Sequence, residues 1–148
     1  MNIIDSFRGK YAFLSNFYSC DINLTINGRT YTFPTVENAF QLSKTLNPSE
    51  KLIHRFQSIT PGQAKKLGRL VKLRNDWDQV KLQVMRKLLI KKFSNPELKN
   101  KLLDTGDALL IEGNWWRDTY WGVCNRTDIG DNHLGKLLME VRDELRTQ

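Results

Sequence analysis

The chain has 148 residues, a length that fits one domain able to bury about 68–70% of the surface its unfolded form exposes. Hydrophobic residues make up 40% of it, and no apolar run approaches the roughly 18 residues of a membrane span, so we expect no membrane segment. The formal net charge of +7 favours an anionic partner such as phosphate, nucleotide or nucleic acid, although solubility alone also explains it.

Signals for metal binding, disulfides and export are missing. Cys20 and Cys124 form no CxxC pair, which predicts two buried thiols rather than a disulfide framework or a zinc site. His54 and His133 lack the spacing of metal ligands, so we predict no metal and no cofactor. The start, MNIIDSFRGKYAF, has no basic region followed by a long apolar segment, so we expect a cytoplasmic protein.

The first predicted element is a hairpin. The segment INLTINGRTYTF alternates apolar and polar residues on both sides of Asn27-Gly28, the dipeptide best suited to a two-residue type I′ turn. Pairing about that turn sets Ile22 opposite Phe33. One face of the hairpin is therefore apolar and should cover a core.

A helix should follow the hairpin. Thr35 can cap a helix from Val36 to about Leu46, whose apolar residues recur at helical spacing. Because a helix turns by about 100° per residue, Glu37 and Lys44 should lie almost above one another, with Gln41 between them. These side chains can share one wall of a pocket.

Capping and periodicity predict further helices and two strands. Segments ALLIEGN and TYWGV read as strands around a tryptophan-rich turn. The chain should thus form a single α+β domain over residues 1–148, mostly helical around a small antiparallel sheet. The helices are predicted from Ser49 through Gln57, from Thr60-Pro61-Gly62-Gln63 onward, from Asp76 to Phe93, from Asn95-Pro96 to Gly106, and over a last segment with Leu134, Leu137, Leu138, Val141 and Leu145 inward.

The segment IEGNWWRDTYWG, Ile111 to Gly122, holds three of the four tryptophans of the chain. Packing explains one of them, but three at a turn exceed what packing needs, because turns lie at the surface. A flat, π-faced ligand explains the excess better. A nucleobase stacks on such rings with about 1–3 kcal/mol, and Arg117 can reach an attached phosphate.

Two other clusters carry polar side chains. In RGKYAFLSNFY, Arg8 to Tyr18, glycine permits close backbone approach while Ser, Asn, Arg and Tyr supply hydrogen bonds, a weak signal by itself. In VENAFQLSK the candidates are Glu37, Asn38, Gln41 and Lys44. Spacing alone favours an ordinary helix surface there, with a stabilising carboxylate in its first turn.

Together these clusters resemble the NADAR family, which includes the YbiA-like N-glycosidases. The motifs FRGKYAFLSNFY, TVENAFQLSK, LRNDWD, IEGNWWRDTYWG and GDNHLGKLLM occur in the order of the family and span nearly the whole chain. The resemblance implies a YbiA-like fold and hydrolysis of a bond between ribose C1′ and a nitrogen. Members act on phosphoribosylated intermediates of riboflavin synthesis or remove ADP-ribose from guanine in nucleic acid.

The resemblance implies a catalytic carboxylate, because breaking a ribosyl C–N bond builds positive charge at C1′ and the ring oxygen. Glu37 is the first candidate and Asp118 the second. Glu112 also follows the family pattern, but if Leu109 and Ile111 face the core it points the other way and can equally be solvated.

Lys44 stands at the lysine position of the family motif VENAFQ…K, which favours a catalytic role over a salt bridge to Glu37. Two chemistries suit the amine: donating a proton to the departing nitrogen, or attacking C1′ of an opened sugar to form a Schiff base. The sequence leaves both open.

The expected substrate is a phosphorylated ribosyl-base, either a small molecule or ADP-ribosylated nucleic acid, and neither a membrane nor an obligate protein partner is expected. Indoles should hold the base of this substrate in one cleft with Glu37 and Lys44. Cations should hold its phosphate, and the candidates are Arg8, Arg69, Arg117 and Lys136. Trp77 also fits the inward face of its helix. The substrate-binding candidates are Arg8, Gly9, Ser15, Asn16, Phe17, Asn38, Gln41, Arg69, Trp77, Asn114, Trp116, Arg117, Trp121 and Gly122.

Two other classes of function use the same features. A non-catalytic module that holds ADP-ribose or a nucleotide needs the same aromatic and basic residues but shows no turnover. A nucleic-acid-binding protein that relies on its basic helices should bind unmodified DNA with an affinity that falls steeply with salt.

Overall fold

The computed structural model describes residues 2–148. Helices form the larger part of the secondary structure of these residues. About 46% of the chain is helical, and this with its small strand pairs confirms the α+β class. The strands are β1 (Ile3–Ile4), β2 (Ile22–Ile26), β3 (Arg29–Phe33), β4 (Leu109–Leu110), β5 (Gly113–Asn114) and β6 (Val123–Cys124). The helices are a 3₁₀ helix (Gly9–Leu14), α1 (Val36–Leu42), α2 (Glu50–Ser58), α3 (Pro61–Leu67), α4 (Trp77–Lys92), α5 (Pro96–Asp104) and α6 (His133–Arg146).

The chain separates into two compact units, which we describe one at a time. The central unit is Asn16–Lys92. The terminal unit combines the described residues up to Ser15 with Phe93–Gln148. Over residues 2–148, no helix has both the length and the apolar character needed to pass through a bilayer.

The hairpin of the central unit confirms the predicted register. Ile22 pairs with Phe33 across β2 and β3, and both side chains are fully buried. The turn places Asn27 at φ 52° and Gly28 at φ 81°, the positive values that a type I′ turn requires.

Helix α1 begins where predicted but ends earlier. The Thr35 hydroxyl accepts a hydrogen bond from the backbone N–H of Asn38, which confirms the cap. The helix stops at Leu42, so the prediction that it reaches Leu46 was wrong. The Ser43 hydroxyl donates to the carbonyl of Ala39 at 2.8 Å, and such back-bonding competes with continuation of the helix. Lys44 therefore lies in the turn that follows α1.

Helices α2 and α3 carry the predicted caps. The Ser49 hydroxyl accepts from the N–H of Leu52, and Thr60 and Gln63 form a reciprocal capping box. At the start of α4, the Asp76 carboxylate binds the Arg74 guanidinium, with Nε and Oδ1 2.6 Å apart.

The basic face of α4 is not solvated throughout. Lys92 is buried, and its ammonium lies 5.7 Å from the centre of the Tyr18 ring. Burial lowers the pKa of Lys92 to about 8, against a smaller opposing effect of Cys20. The last residue of this basic helix is therefore packed in the interior rather than solvated.

In the terminal unit, β1 pairs with β4 and β5 pairs with β6, both in parallel. The antiparallel pairing predicted for the small sheet is thus found in the β2–β3 hairpin, while the tryptophan-rich turn joins two parallel strands. The expected strand TYWGV keeps only Val123 in a strand. Leu110 is fully buried, whereas Leu109 and Ile111 are half-buried. The condition under which Glu112 was expected to point away from the core is therefore not met.

Candidate active site

Three side chains of the central unit form what we call the α1 cluster: Glu37, Gln41 and Lys44. Glu37 is 8% exposed and Gln41 is 5% exposed. The Gln41 Nε2 atom donates a hydrogen bond of 2.8 Å to Glu37 Oε1, as their spacing of one helical turn allows. A buried carboxylate is thereby held at one oxygen by a neighbouring amide.

Lys44 completes the α1 cluster from the turn after the helix. Its backbone carbonyl accepts from the N–H of Arg74 at 2.8 Å. Burial lowers the pKa of Lys44; the Glu37 carboxylate opposes this effect, and the positive charges of Arg69, Lys65 and Lys81 add to it. The amine therefore loses its proton at a lower pH than an ordinary lysine does.

The charges of Lys44 and Glu37 act on each other, but Lys44 does not lie above Glu37 on a continuous helix as the spacing predicted. Three further cations act on Lys44 against this single carboxylate. An excess of positive charge around a half-buried amine is an environment that attracts anions.

Other candidates of the central unit have structural contacts of their own. Asn38 is fully buried, and its Nδ2 donates to the carbonyls of Phe56 and Ile59, both at 2.8 Å. Trp77 is buried, with its ring centre 5.0 Å from that of Phe40. Asn38 thus joins α1 to the end of α2, and Trp77 packs in the core.

Asn16 and Phe17 precede the hairpin. The Asn16 carbonyl accepts from the N–H of Glu37 at 3.1 Å, so this backbone contacts the start of α1. Its side chain is buried, with Nδ2 3.6 Å from the Met85 sulfur and Oδ1 without a hydrogen-bond partner among the described residues. Phe17 is 46% exposed, and Arg69 is exposed as well.

In the terminal unit, Asn114 organises the tryptophan segment, by which we mean Ile111–Gly122. Asn114 is fully buried. Its Oδ1 accepts from the N–H of Asp118, and its Nδ2 donates to the carbonyl of Asp118, both at 2.9 Å. A weaker contact of 3.5 Å joins Nδ2 to Glu112 Oε2. One amide therefore closes the loop and contacts a candidate carboxylate.

The Asp118 carboxylate is engaged by the backbone. Its Oδ1 accepts from the N–H groups of Tyr120 at 3.1 Å and Trp121 at 2.9 Å, an Asx-type turn. Arg117, the residue before Asp118, adopts φ 65° in this connection between the parallel strands β5 and β6.

Glu112 is held through its backbone. Its N–H donates to Asn132 Oδ1 at 3.0 Å, and Asn132 Nδ2 donates to the carbonyl of Leu110 at 2.9 Å. A Cβ added to Gly122 would overlap both Glu112 Oε2 and the Glu112 carbonyl oxygen. A residue with a side chain at position 122 would thus prevent this close approach.

The tryptophans of the segment differ in exposure. Trp115 and Trp116 are 55% and 53% exposed. Trp121 is half-buried, with the Tyr120 ring edge-on at 4.9 Å between centres. Trp115 and Trp116 thus present apolar rings to solvent, as expected for a turn that holds more tryptophans than packing needs.

The other predicted cations and turn residues of the terminal unit lie at its surface or in local turns. Arg8 precedes the 3₁₀ helix, Gly9 opens it at φ 57°, and Ser15 ends it by donating its N–H to Ala12. Arg8, Arg117 and Lys136 are exposed. Within residues 2–148, no group of three or more His, Cys, Asp or Glu side chains is arranged to hold a metal ion.

Several residues of these clusters escaped the sequence analysis. Asn132 adopts a left-handed conformation at the start of α6, and the sequence assigned it no role. The sequence assigned no role near the α1 cluster to Gly68, Lys65 or Lys81. Their proximity to the α1 cluster depends on how helices pack, which no local pattern reports.

Comparison with known proteins gives consistent matches over nearly the whole chain. The NADAR domain model matches residues 5–146. An N-glycosidase of Nostoc punctiforme is 41% identical over 140 residues, which cover 87% of this chain and 86% of the relative. The N-glycosidase YbiA of Escherichia coli is 40% identical over 139 residues, covering 91% and 82%.

A solved structure and a longer relative extend the comparison. The NMR structure of E. coli YbiA matches with a TM-score of 0.79 at 38% identity, over 99% of this chain and 86% of that one. The riboflavin biosynthesis protein PYRR of Zea mays is 34% identical over 97% of this chain but only 25% of its own length. The chain belongs to the NADAR family, and it is a hydrolase that acts on N-glycosyl bonds.

Proposed function

We propose that the protein hydrolyses the bond between ribose C1′ and a nitrogen in a phosphorylated ribosyl-base or ribosylamine. The observation that carries this proposal is the α1 cluster: a buried carboxylate oriented by Gln41 beside a lysine with a lowered pKa. Perturbed ionisable groups held in fixed geometry are typical of catalytic sites.

Glu37 supplies the negative charge for the transition state. As the C–N bond breaks, positive charge develops at C1′ and the ring oxygen, and a fixed carboxylate nearby lowers the barrier. The same carboxylate can orient or deprotonate the attacking water. Asp118 and Glu112 are weaker candidates, because Asp118 Oδ1 already accepts two backbone hydrogen bonds and Glu112 contacts Gly122 and Asn114.

Two routes remain for Lys44. As an acid, the ammonium donates its proton to the departing nitrogen. As a nucleophile, the neutral amine adds to C1′ of an opened sugar whose C1′ is doubly bonded to the base nitrogen; the base leaves with a proton, and water then hydrolyses the lysine imine. The lowered pKa of Lys44 favours the neutral amine that the second route requires.

The charge around Lys44 supports an anionic substrate. Lys65, Arg69 and Lys81 act on Lys44 against the single carboxylate of Glu37, so a phosphate is attracted there. In the terminal unit, the exposed Arg8, Arg117 and Lys136 are the proposed phosphate contacts.

The tryptophan segment is the proposed base-binding element. Trp116 offers an exposed ring and Trp121 a half-buried one, and stacking on such rings tolerates different bases. Trp77 is the weakest of the three proposed indoles because it already packs on Phe40.

Two substrates are candidates. A phosphoribosylamino-pyrimidine intermediate of riboflavin synthesis is favoured by the relatives named as riboflavin biosynthesis proteins in Zea mays and Vibrio vulnificus. ADP-ribosyl-guanine in nucleic acid is favoured by the net charge of +7. A cytoplasmic location suits both and is proposed on that ground.

The test is to incubate the protein separately with the phosphoribosylamino-uracil intermediate, ADP-ribosylated DNA and NAD, and to follow products by mass. We expect one of the first two to be cleaved at C1′. Lys44→Ala and Glu37→Gln should each keep the fold and still bind substrate, but lose turnover by about 1,000-fold. Binding without turnover by the parent protein would instead support a non-catalytic nucleotide-binding module. Parent rates in both variants would overturn the site assignment.

A further inference from the structure

Gly68, which follows α3, lies directly against the α1 cluster. A Cβ built on Gly68 overlaps Gln41 Oε1 and lies 2.7 Å from Gln41 Cδ and 3.1 Å from Gln41 Cβ. Real Cβ atoms do not approach other heavy atoms that closely, so any larger residue at this position must displace the Gln41 side chain. The Gln41 side chain can therefore occupy this position only because residue 68 has no side chain.

The displaced side chain is the one that holds Glu37. Gln41 Nε2 donates to Glu37 Oε1 at 2.8 Å. The other end of the amide, Oε1, is buried and has no hydrogen-bond partner among the described residues. No strong hydrogen bond thus fixes Gln41 Oε1, and the free space at Gly68 is what allows the amide to present its N–H group to Glu37.

The backbone of Gly68 does not itself require glycine. Its φ of −60° and ψ of −20° are right-handed helical values, which alanine adopts without strain. Its N–H donates to the carbonyl of Ala64 at 2.8 Å, a bond that alanine keeps. The absence of a side chain at this position is therefore explained by the contact with Gln41 rather than by backbone conformation.

We propose that Gly68 is a positioning residue for the reaction, which acts through Gln41 to orient the catalytic carboxylate of Glu37. This inference rests on the proposed function only in giving Glu37 its catalytic role. Because the nearest atoms belong to the far end of a flexible side chain, Gly68→Ala is accommodated by movement of Gln41, and the protein still folds. The cost falls on the hydrogen bond to Glu37.

The kinetic experiment is a double-mutant cycle of Gly68→Ala and Gln41→Ala, assayed on whichever of the two candidate substrates the parent protein cleaves. Gly68→Ala should lower kcat by about 100-fold, the scale of a displaced catalytic group, with KM nearly unchanged. In the Gln41→Ala background it should have little further effect, since the Gln41 amide that the added Cβ overlaps is gone. An equal loss in both backgrounds would overturn the proposal.

Gly62→Ala is the matched control. Gly62 lies in α3, the helix that Gly68 follows, and a Cβ built on Gly62 meets no atom within 4 Å. We expect this variant to keep the parent kcat. A loss in Gly62→Ala equal to that in Gly68→Ala would show a general effect of altering α3, and the proposal would fail.

A second readout does not depend on turnover. With ¹³C-labelled glutamate carboxyls, the Glu37 signal is assigned by its absence from Glu37→Gln. Loss of the Gln41 hydrogen bond removes a group that stabilises the ionised carboxylate, so Glu37 should titrate at higher pH in Gly68→Ala than in the parent. If Glu37 titrates at the same pH in Gly68→Ala as in the parent protein, the positioning role is refuted. If the parent protein cleaves neither substrate, the proposed function is refuted, but the Glu37 titration still tests the positioning role.

Discussion

The α1 cluster and the tryptophan segment hold their polar groups in different ways. In the α1 cluster, one side chain positions another: the Gln41 amide binds the Glu37 carboxylate. In the tryptophan segment, side chains bind the backbone: Asn114 bridges both main-chain groups of Asp118, and the Asp118 carboxylate accepts from the next turn. Substitutions that disturb these hydrogen bonds should therefore alter activity in the α1 cluster but stability in the tryptophan segment.

The strongest test of this contrast is Gly122→Ala. The added Cβ overlaps the backbone carbonyl of Glu112 and lies 2.8 Å from Asn114 Nδ2, so the main chain itself must move. Overpacking of this kind should lower the free energy of unfolding by about 3 kcal/mol, measured by chemical denaturation.

Gly62→Ala again serves as the control for that measurement. A Cβ at Gly62 enters open space within a helix, where alanine usually stabilises by about 0.5–1 kcal/mol. If Gly122→Ala and Gly62→Ala unfold at the same denaturant concentration, the claim that the backbone approaches Gly122 closely in the tryptophan segment is contradicted.

A smaller effect should separate binding from folding within the tryptophan segment. Trp116 is 53% exposed, so Trp116→Ala should unfold like the parent protein. Loss of one stacking contact of about 1–3 kcal/mol should raise KM by about 10-fold to 100-fold. Steady-state kinetics on the cleaved substrate provide the measurement.

Trp115→Ala is the comparison for this prediction, because Trp115 is the adjacent and equally exposed tryptophan. We expect a KM close to that of the parent protein. If Trp115→Ala raises KM as much as Trp116→Ala, the ring that binds the base has been assigned to the wrong residue.

The sequence predicted best what local chemistry determines. Asn27-Gly28 set the hairpin register and Thr35 set the start of α1, because both act within a few residues. It failed where a side chain competed with the backbone, as when Ser43 bonded to Ala39 and ended α1 early.

The contacts around the candidate residues were less accessible from sequence. Glu112, which precedes β5, is held by the side chain of Asn132, a residue much further along the chain. Likewise, the contact of Gly68 with Gln41 joins residues far apart in the chain. Periodicity identifies which face of an element is apolar, but not which residue of another element will meet it.

The smallest effect we expect concerns the pH dependence set by Lys44. Burial lowers the pKa of Lys44, and Arg69 is among the cations that add to this effect. If the neutral amine attacks C1′, kcat/KM should rise with pH through this pKa; if the ammonium is the acid, it should fall. In both cases the inflection should lie below that of an ordinary lysine, and Arg69→Gln should move it to higher pH by removing a positive charge.

The midpoint of this pH profile, rather than the absolute rate, is the quantity to compare, because Arg69→Gln can also weaken phosphate binding. Trapping with borohydride distinguishes the routes, since only the Schiff base is reduced to a stable adduct on Lys44. An inflection that moves to lower pH in Arg69→Gln would contradict the coupling between these cations. A midpoint that follows the charge of Arg69, together with an adduct lost in Lys44→Ala, would show that the positive charge around the α1 cluster tunes the attacking amine.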